Sequence, residues 1–466
     1  MARVFKSILG AAPYRVYQRS DRNAANIELS LELFPGISGV VEARLVKNNQ
    51  SLSGLDWQKM KAEDKSFTWA LKGVPVGGPY TLELRVRNGN QVIVSRRIPG
   101  ILVGDLWILA GQSNMDGCGK LDHVETPSAY VHCFYHDDSW GIARDPLCIV
   151  DASKDPVHWG IADAVERAKA VKNHKAFGEI GGGLGVRFGK DLYKATGVPV
   201  GLVMCSHGGT SLAQWDPALE DQRGNSLYGS MMRRFGLVGG KAAGFLWYQG
   251  ESDAHLDEWS NYKANFRRFI EGVRSDFGQP DLPFLYVQLA KFFSDEATYG
   301  IRWNGVQNDQ LLIEKEMKNI AVATAIDCTI SDIIHIDAVS QRKMGARLAK
   351  LARRIKFGHK IEVGPRPEKV EFTDSARTVI RVTYSSVNGA LTPARGIRGF
   401  LVEKEGIPCG IKSCVRESDG KSVIIKLAWA VPEGANLWYG RGLNPCVNLA
   451  DRGGFAAPVF GPVEVG

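Results

Sequence analysis

The sequence predicts an α/β domain with a parallel sheet, placed between an N-terminal and a C-terminal β domain. At 466 residues the chain exceeds the size at which one hydrophobic core usually keeps growing. Both ends show short segments in which apolar and polar residues alternate, whereas the middle shows nearly continuous apolar runs. We therefore place the predicted domains at residues 1–100, 101–360 and 361–466.

The first domain is predicted to be a β-sandwich-like unit. Segments such as Ile27–Leu33 and Tyr80–Val86 alternate strictly, and Gly, Pro, Asn and Asp separate them. Such alternation is typical of antiparallel strands with one face in water.

The middle domain is predicted from apolar runs of strand length, which suit strands buried on both faces of a parallel sheet. These runs are Leu106–Ala110, Val198–Cys205, Ala242–Tyr248, Pro283–Ala290 and Ile320–Ile326. Helix-like segments separate them, and one is predicted from Ser340 to Lys356 with Ser340 as its N-cap. Alternation returns after residue 360, as in Val423–Leu427, and predicts the second β domain.

Composition excludes several classes of protein. The hydrophobic fraction of 44% and the charged fraction of 23% are those of a folded globular protein. The net charge of +8 is scattered, so we expect no nucleic-acid partner, and no apolar run approaches the ~20 residues of a membrane span. The first 13 residues do not form a secretory signal, which predicts a cytoplasmic protein unless a signal peptide has been removed, in which case a secreted or periplasmic location is favoured.

Ser113 is the candidate nucleophile. It follows the apolar run Leu106–Ala110 through Gly111 and Gln112, and reactive groups of open α/β sheets lie at the carboxyl ends of strands. The alternative is a helix N-cap at a strand-to-helix turn.

Two further strand ends carry groups that could donate hydrogen bonds to a ligand near Ser113. Gly208 and Gly209 follow Val198–Cys205, and paired glycines allow a backbone N–H to approach a ligand. Gln249 follows Ala242–Tyr248 and could donate an uncharged amide hydrogen to an oxyanion. The alternative for Gln249 is an amide that satisfies loop backbone.

His335 is the candidate general base. A serine hydroxyl is hardly ionised near neutrality and needs such a base. Asp332, three residues earlier, could fold back onto the Nδ1 atom of His335 and leave Nε2 facing the serine. The alternative is an ordinary hydrogen bond within a loop.

These motifs resemble, in kind and order, those of the sialate O-acetylesterase family within the SGNH hydrolases. The shared segments are Gly111–Met115, Gly208–Thr210, Trp247–Ser252, Pro283–Leu289, Asp332 with His335, and Gly345–Ala349. Weaker likeness reaches both ends of the chain, including Gly77–Leu82 and Asn436–Gly440. The resemblance implies a three-layer SGNH-type domain and hydrolysis through an acetyl-serine intermediate, without metal or other cofactor.

The resemblance also implies a role for each site residue. These roles are Ser113 as nucleophile, His335 as base, Asp332 as the acid that orients it, and an oxyanion hole formed by Ser113 N–H, Gly208 N–H and Gln249. Gly209 remains the alternative donor to Gly208, and Glu251 the alternative acid to Asp332.

Three neighbours complete the predicted site. Gln112 and Asn114 are expected to support the site or contact the substrate. Ile336 stands where members of the family commonly have proline, so the loop around the histidine is expected to differ locally.

The expected substrate is an O-acetylated carbohydrate. The resemblance favours sialic acid, with acetyl-xylan or another plant polysaccharide as the alternative and a catalytically dead carbohydrate-binding protein as a second. Trp215 is a candidate for stacking on a sugar ring. Arg233, Arg234 and Arg302 are candidates for holding a sialate carboxylate in a bidentate pair.

Three other patterns receive ordinary interpretations. The candidates His132, His136, Asp137 and Asp138 lack a second ligand pair, so we expect no metal site and place them near the pocket. Gly181–Gly185 lacks the Lys-Ser/Thr ending of a phosphate loop and is interpreted as a helix entry. Cys409 and Cys414 are close enough in sequence to bridge a hairpin, although spacing does not decide the matter.

Overall fold

The computed structural model describes residues 4–52, 54–63, 66–295 and 297–466. Its first ten strands are β1 (Phe5–Leu9), β2 (Val16–Gln18), β3 (Ala24–Leu33), β4 (Val40–Lys47), β5 (Gln50–Ser51), β6 (Gln58–Lys59), β7 (Lys61–Glu63), β8 (Ser66–Pro75), β9 (Gly77–Asn88) and β10 (Gln91–Gly111). Strands β1, β3, β8 and β7 form one sheet, whereas β4 and β10 pair with β9 in another. The two alternating segments lie in β3 and β9, so those strand predictions are confirmed.

Strand β10 connects the N-terminal strands to the central sheet without a break. Its first part pairs antiparallel with β9, and its last part pairs parallel with two strands of the central sheet. Ile101 and Val103 belong to the N-terminal hydrophobic cluster, whereas Leu102 and Leu106 belong to the central one. The predicted boundary at residue 100 therefore falls inside a continuous strand.

Within the described residues, the central part contains eight further strands and seven helices. The strands are β11 (Gly119–Lys120), β12 (Val131–Phe134), β13 (Trp140–Ile142), β14 (Ile180–Gly182), β15 (Val200–Met204), β16 (Gly244–Tyr248), β17 (Phe284–Gln288) and β18 (Ile320–Thr324). The helices are α1 (Ser113–Asp116), α2 (Ala164–Phe177), α3 (Gly185–Thr196), α4 (Leu227–Leu237), α5 (Tyr262–Asp276), α6 (Ala297–Glu316) and α7 (Ala338–Phe357). Short 3-10 helices occupy Leu121–His123, Val150–Ala152, Pro156–His158, Leu212–Trp215, Pro217–Asn225, Asp253–His255 and Asp257–Asn261.

The central strands lie in the order β13-β12-β15-β10-β16-β17-β18. All are parallel except the edge strand β13, which runs antiparallel to β12. All five predicted apolar runs are strands of this sheet, because each is buried along its length as a central parallel strand requires. Strand β12, whose four residues are also buried, was not predicted from the sequence.

The helix predicted at Ser340–Lys356 is α7, but it begins two residues earlier. Asp337 is the N-cap, since its Oδ1 atom accepts the backbone N–H of Ser340 at 2.7 Å. The Ser340 hydroxyl instead accepts the N–H of Thr329 at 3.0 Å. The prediction of Ser340 as N-cap is therefore wrong.

The C-terminal part consists of ten strands. These are β19 (Arg366–Phe372), β20 (Val379–Ser385), β21 (Leu391–Thr392), β22 (Phe400–Lys404), β23 (Ile407–Cys409), β24 (Ile411–Arg416), β25 (Ser422–Leu427), β26 (Asn436–Tyr439), β27 (Ala450–Asp451) and β28 (Phe460–Glu464). Their buried side chains join the same hydrophobic cluster as the central sheet. Gln288, at the end of β17, exchanges two hydrogen bonds of 2.9 Å with the backbone of Val459. This part is therefore packed directly on the central sheet.

Two further properties concern the chain as a whole. No helix within the described ranges has both the length and the apolarity to cross a membrane. All eight cysteines are free thiols, so Cys409 and Cys414 do not form the disulfide considered above.

Candidate active site

The candidate nucleophile lies at the carboxyl end of β10, in the middle of the sheet. Gly111 ends this strand with φ of 135°, and a Cβ atom there would lie 2.2 Å from the carbonyl oxygen of Tyr248 on β16. Only glycine allows this approach. The chain then turns, and Ser113 becomes the first residue of α1 rather than its N-cap, which is Gln112.

Ser113, His335 and Asp332 form a continuous hydrogen-bonded series. The Oγ atom of Ser113 lies 2.8 Å from Nε2 of His335, and Nδ1 of the same ring lies 2.7 Å from Oδ2 of Asp332. The ring can therefore donate Nδ1–H to the carboxylate and accept the serine proton at Nε2. The structure brings together all three residues predicted to react.

Asp332 is held as a carboxylate by its own loop. Its Oδ1 atom accepts the backbone N–H groups of Ile334 at 2.8 Å and His335 at 2.7 Å. Partial burial acts to raise the pKa of Asp332, but these hydrogen bonds and the contact with the imidazole outweigh it and lower the pKa. The Asp-x-x-His spacing thus orients the ring and keeps the acid ionised.

Asn114 fixes the backbone on both sides of His335. Its Oδ1 atom accepts the N–H of Ile336 at 3.1 Å, and its Nδ2 donates to the carbonyl oxygen of Ile334 at 3.4 Å. Proline at 336 would have no N–H to donate. Ile336, at the position where the family commonly has proline, therefore donates a hydrogen bond that holds the loop of His335 against α1.

Glu251 and Gln112 connect the loop after β16 to the same network. Glu251 Oε1 accepts Nδ2 of Asn114 at 2.7 Å, and Gln112 Oε1 accepts the N–H of Ser252 at 3.2 Å. Burial raises the pKa of Glu251, against the opposing effect of Asn114. Glu251 therefore contacts Asn114, which supports the backbone beside His335, whereas Asp332 contacts the imidazole ring directly. Gln112 and Asn114 take the supporting positions predicted for them.

The backbone available to an oxyanion lies around Ser113 and Gly208. Ser113 is the first residue of α1, so its backbone N–H has no acceptor within the helix. A Cβ atom at Gly208 would lie 3.6 Å from Ser113 Cβ and 3.2 Å from Asp116 Oδ2, so the glycine turn packs against Ser113. Gly209 has φ of 71° and open space around its Cβ position. The Gly208 N–H also donates to the Asp116 carboxylate, which an oxyanion would have to replace or share, so Gly209 stays the alternative donor.

Gln249 does not have a free amide hydrogen. Its Nε2 atom donates to the carbonyl oxygen of Thr210 at 3.0 Å and makes a short hydrogen bond to Asp253. The side chain is 0% exposed. The structure therefore does not support the prediction that Gln249 donates into the oxyanion hole; the amide satisfies loop groups, which was the alternative.

Trp215 cannot stack on a sugar. Its ring is 0% exposed, packs edge-on against Trp247, and donates Nε1–H to Thr210 Oγ1 at 3.0 Å. The prediction that it contacts the substrate is wrong, because its position after the glycine turn directs it into the core.

The three arginines proposed for a sialate carboxylate are already occupied. Arg233 and Arg234 both bind Asp138, at 2.8 and 2.6 Å. Arg234 is in addition fully buried, and Arg302 pairs with Asp257 at 2.7 Å. Arg234 is therefore out of reach of a substrate, whereas the side chains of Arg233 and Arg302 are partly exposed and their binding of a carboxylate stays a prediction.

Two cavities lie beside the site. One of about 220 Å³ is lined by Asp116, Cys148, Ile149, Val150, Asp151, Ala170, Val171 and His174. A second, of about 390 Å³, shares Ile149 with it and includes His136, Asp137, Trp140 and Asp145. Of the four predicted residues, His136 and Asp137 line this second cavity, and its use as the substrate pocket stays a prediction.

The predicted metal candidates are used in other ways. His132 Nδ1 lies 2.7 Å from the carbonyl oxygen of Tyr14, and Asp137 pairs with Lys175 at 3.4 Å. Within the described ranges, no group of three or more His, Cys, Asp or Glu residues could hold a metal ion.

Asp116 is a site residue that sequence reasoning missed. It lies one helical turn after Ser113, and burial raises its pKa to about 6, although contacts that include Cys148 and the Gly208 N–H oppose the shift. The i, i+3 spacing from Ser113 was the available signal. Its carboxylate lies between the glycine turn and the smaller cavity.

The fold matches that of a carbohydrate esterase. A crystal structure of a carbohydrate acetylesterase from Xanthomonas citri superimposes with a TM-score of 0.64, over 98% of this chain and 99% of that one, at 22% identity. This likeness establishes the fold.

The chain belongs to the family described as carbohydrate esterase, sialic acid-specific acetylesterase, whose model matches residues 103–354. A probable carbohydrate esterase of Arabidopsis thaliana is 27% identical over 53% of this chain and 88% of its own length. The sialate O-acetylesterase of Homo sapiens is 24% identical over 70% of this chain and 67% of its own length. By its family, the protein is a carbohydrate acetylesterase.

Proposed function

We propose that the protein is a serine O-acetylesterase of the three-layer SGNH type, acting on acetylated sugars through an acetyl-serine intermediate. The observation that carries the proposal is the pair of contacts made by His335, 2.8 Å to Ser113 and 2.7 Å to Asp332. A serine hydroxyl within reach of an oriented imidazole is the arrangement that nucleophilic acyl transfer requires.

The reaction follows from this geometry. Ser113 Oγ attacks the ester carbonyl carbon while His335 Nε2 takes the hydroxyl proton, and Asp332 stabilises the imidazolium. Backbone N–H groups of Ser113 and of the Gly208–Gly209 turn bind the oxyanion. His335 then gives its proton to the departing sugar oxygen, and a water molecule, deprotonated by the same ring, releases acetate.

Two substrates are supported by different observations. The family description and the relatives named above favour an O-acetylated sialic acid. The charges favour a neutral acetylated polysaccharide, such as xylan, because the three candidate arginines are paired and Asp116 and Asp151 line the smaller cavity. A sialate carboxylate would meet like charge there.

The proposal is tested with purified protein, p-nitrophenyl acetate, 9-O-acetylated sialic acid and an acetylated xylo-oligosaccharide. Ser113→Ala and His335→Ala should each lower kcat by roughly 10⁶-fold, the size of loss seen when a member of such a unit is removed. A chelator should leave the wild-type rate unchanged. A folded Ser113→Ala variant that keeps a tenth of the rate would refute the mechanism, and the ratio of the two sugar rates decides the substrate.

A further inference from the structure

The turn that contacts the nucleophile carries His207, whose ring begins a buried chain of hydrogen bonds. Nδ1 of His207 lies 3.0 Å from Nδ1 of His158. Nε2 of His158 lies 3.1 Å from Ser230 Oγ, which lies 2.5 Å from Oδ2 of Asp155. His158 and Ser230 are both 0% exposed, so the chain is shielded from water.

The positions of the hydrogen atoms in this series of hydrogen bonds follow from Asp155, the residue at its far end. Asp155 forms an ion pair with Arg233 at 2.8 Å, so its carboxylate only accepts hydrogen bonds. Ser230 has a single hydroxyl hydrogen and must donate it to Asp155. Its oxygen therefore accepts Nε2–H of His158.

The tautomer of His207 follows from that of His158. Burial lowers the pKa of His158 well below its ordinary value, so the ring is neutral and carries one N–H. Because that hydrogen is on Nε2, Nδ1 of His158 is bare and can only accept. The hydrogen between the two rings belongs to His207, which is left with Nδ1–H and a bare Nε2.

The bare nitrogen of His207 is available to a ligand. Nε2 has no hydrogen-bond partner within the described part of the chain, and it is not among the buried unpaired atoms there. The ring is partly exposed although its Nδ1 side faces the buried His158. The backbone N–H of His207 donates to Gly111 at 2.9 Å, and the next residue, Gly208, packs on Ser113.

We propose that His207 is a substrate-binding residue, whose Nε2 accepts a hydrogen bond from a sugar hydroxyl close to the acetylated position. The role rests on the function proposed above. His158 and Ser230 are positioning residues, because they fix the tautomer without touching the substrate. Burial also lowers the pKa of His207, against the charge of Asp151 in the smaller cavity, and this favours the neutral ring that can accept.

Nitrogen-15 NMR of histidine-labelled protein tests the tautomer directly, with the His207 signals assigned by comparison with His207→Phe. We expect the Nδ1–H form in wild-type protein and a mixture of tautomers in Ser230→Ala, where His158 loses its Nε2 acceptor. Ser413→Ala, a control in β24 of the C-terminal part, should leave the signals unchanged. An Nε2–H tautomer in the wild-type protein would overturn the proposal, and this measurement needs no activity.

Kinetics test the contact with the hydroxyl. On the acetylated xylo-oligosaccharide or the acetylated sialic acid, His207→Phe should lower kcat/KM about tenfold more than on p-nitrophenyl acetate, mainly by raising KM, since one hydrogen bond to the sugar is lost. His207→Gln, which can place an amide oxygen near the position of Nε2, should recover part of the loss. His359→Phe, at the far end of α7, is the control for a histidine-to-phenylalanine change.

Equal losses of His207→Phe on the sugar ester and the phenyl ester would overturn the proposal. Wild-type protein that hydrolyses neither ester would overturn the proposed function and this substrate contact with it. The tautomer measurement would still decide whether the chain from Asp155 to His207 is correctly described.

Discussion

The backbone N–H of Ile336 donates to the side-chain oxygen of Asn114, 3.1 Å away, and thereby holds the loop of His335 against α1, the helix that begins at Ser113. Ile336→Pro removes this donor, whereas Ile336→Val keeps both the N–H and the branched side chain. We expect Ile336→Pro to lower kcat on p-nitrophenyl acetate by roughly 10- to 100-fold, since small displacements of reacting groups have effects of that size.

The measurement is steady-state kinetics on both variants, with circular dichroism to verify that each is folded. Ile336→Val should retain most of the rate. A folded Ile336→Pro variant with the wild-type kcat would show that the hydrogen bond to Asn114 does not position His335.

The second prediction distinguishes the two acids near the histidine. Asp332→Asn should lower kcat by about 10⁴-fold, because the needed tautomer and the imidazolium both lose their partner. Glu251→Gln should lower it less than tenfold, because Glu251 contacts Asn114 rather than the ring. Parallel kinetics at one pH decide the assignment, and the reverse order of losses would transfer the role to Glu251.

The third prediction concerns Gln249. Gln249→Met keeps the approximate length of the side chain but leaves the Thr210 carbonyl and Asp253 without their amide donor. We expect unfolding in urea to show a loss of about 1–3 kcal/mol, the usual effect of unpairing a buried polar group. The folded variant should lose less than tenfold in kcat.

An oxyanion donor would behave differently, since its removal costs roughly 10²–10³ in kcat. A loss of that size, with unchanged stability, would restore the role that the sequence predicted for Gln249.

The fourth prediction is a dependence of stability on pH. Burial raises the pKa of Asp145 to about 7, although the nearby backbone N–H of Gly183 opposes the shift. The folded protein therefore holds this proton more tightly than the unfolded chain does. Its stabilising contribution is complete below about pH 4, the ordinary range of aspartate, and is lost as pH rises towards 7.

Urea unfolding of wild-type protein and Asp145→Asn between pH 4 and 7 measures this effect. The stability of Asp145→Asn relative to wild type should increase as pH rises. Asp374→Asn is a control for which stability should depend on pH in the opposite direction, because hydrogen bonds from Thr378 and Val379 lower the pKa of Asp374. This control is measured from about pH 2 to pH 7, and its wild-type advantage should be present above pH 4 and decline below it. If the difference in unfolding free energy between wild type and Asp145→Asn does not change with pH, the raised pKa of Asp145 is contradicted.

Much of the fold could be predicted because its signals are local. Five buried strands of the sheet show as continuous apolar runs, and α7 shows as apolar residues at helical spacing. The same analysis missed β12, because Val131–Phe134 is short and contains His132. The boundary at residue 100 is not visible in the structure, because β10 supplies side chains to two cores from one continuous strand.

By itself, the sequence determined which residues are candidates for the reaction and in what order they stand along the chain. Ser113 follows a buried strand, and Asp332 lies within three residues of His335, so their roles depend on short-range spacing and on the rule that strand ends carry chemistry. Only the tertiary structure decided where long side chains find partners. Gln249 donates to the carbonyl oxygen of Thr210 across 39 positions of the chain, Trp215 enters the core, and Arg233 pairs with Asp138 across 95 positions. Buried polar groups must be paired, and the partner is chosen by proximity in the folded chain, which local spacing does not reveal.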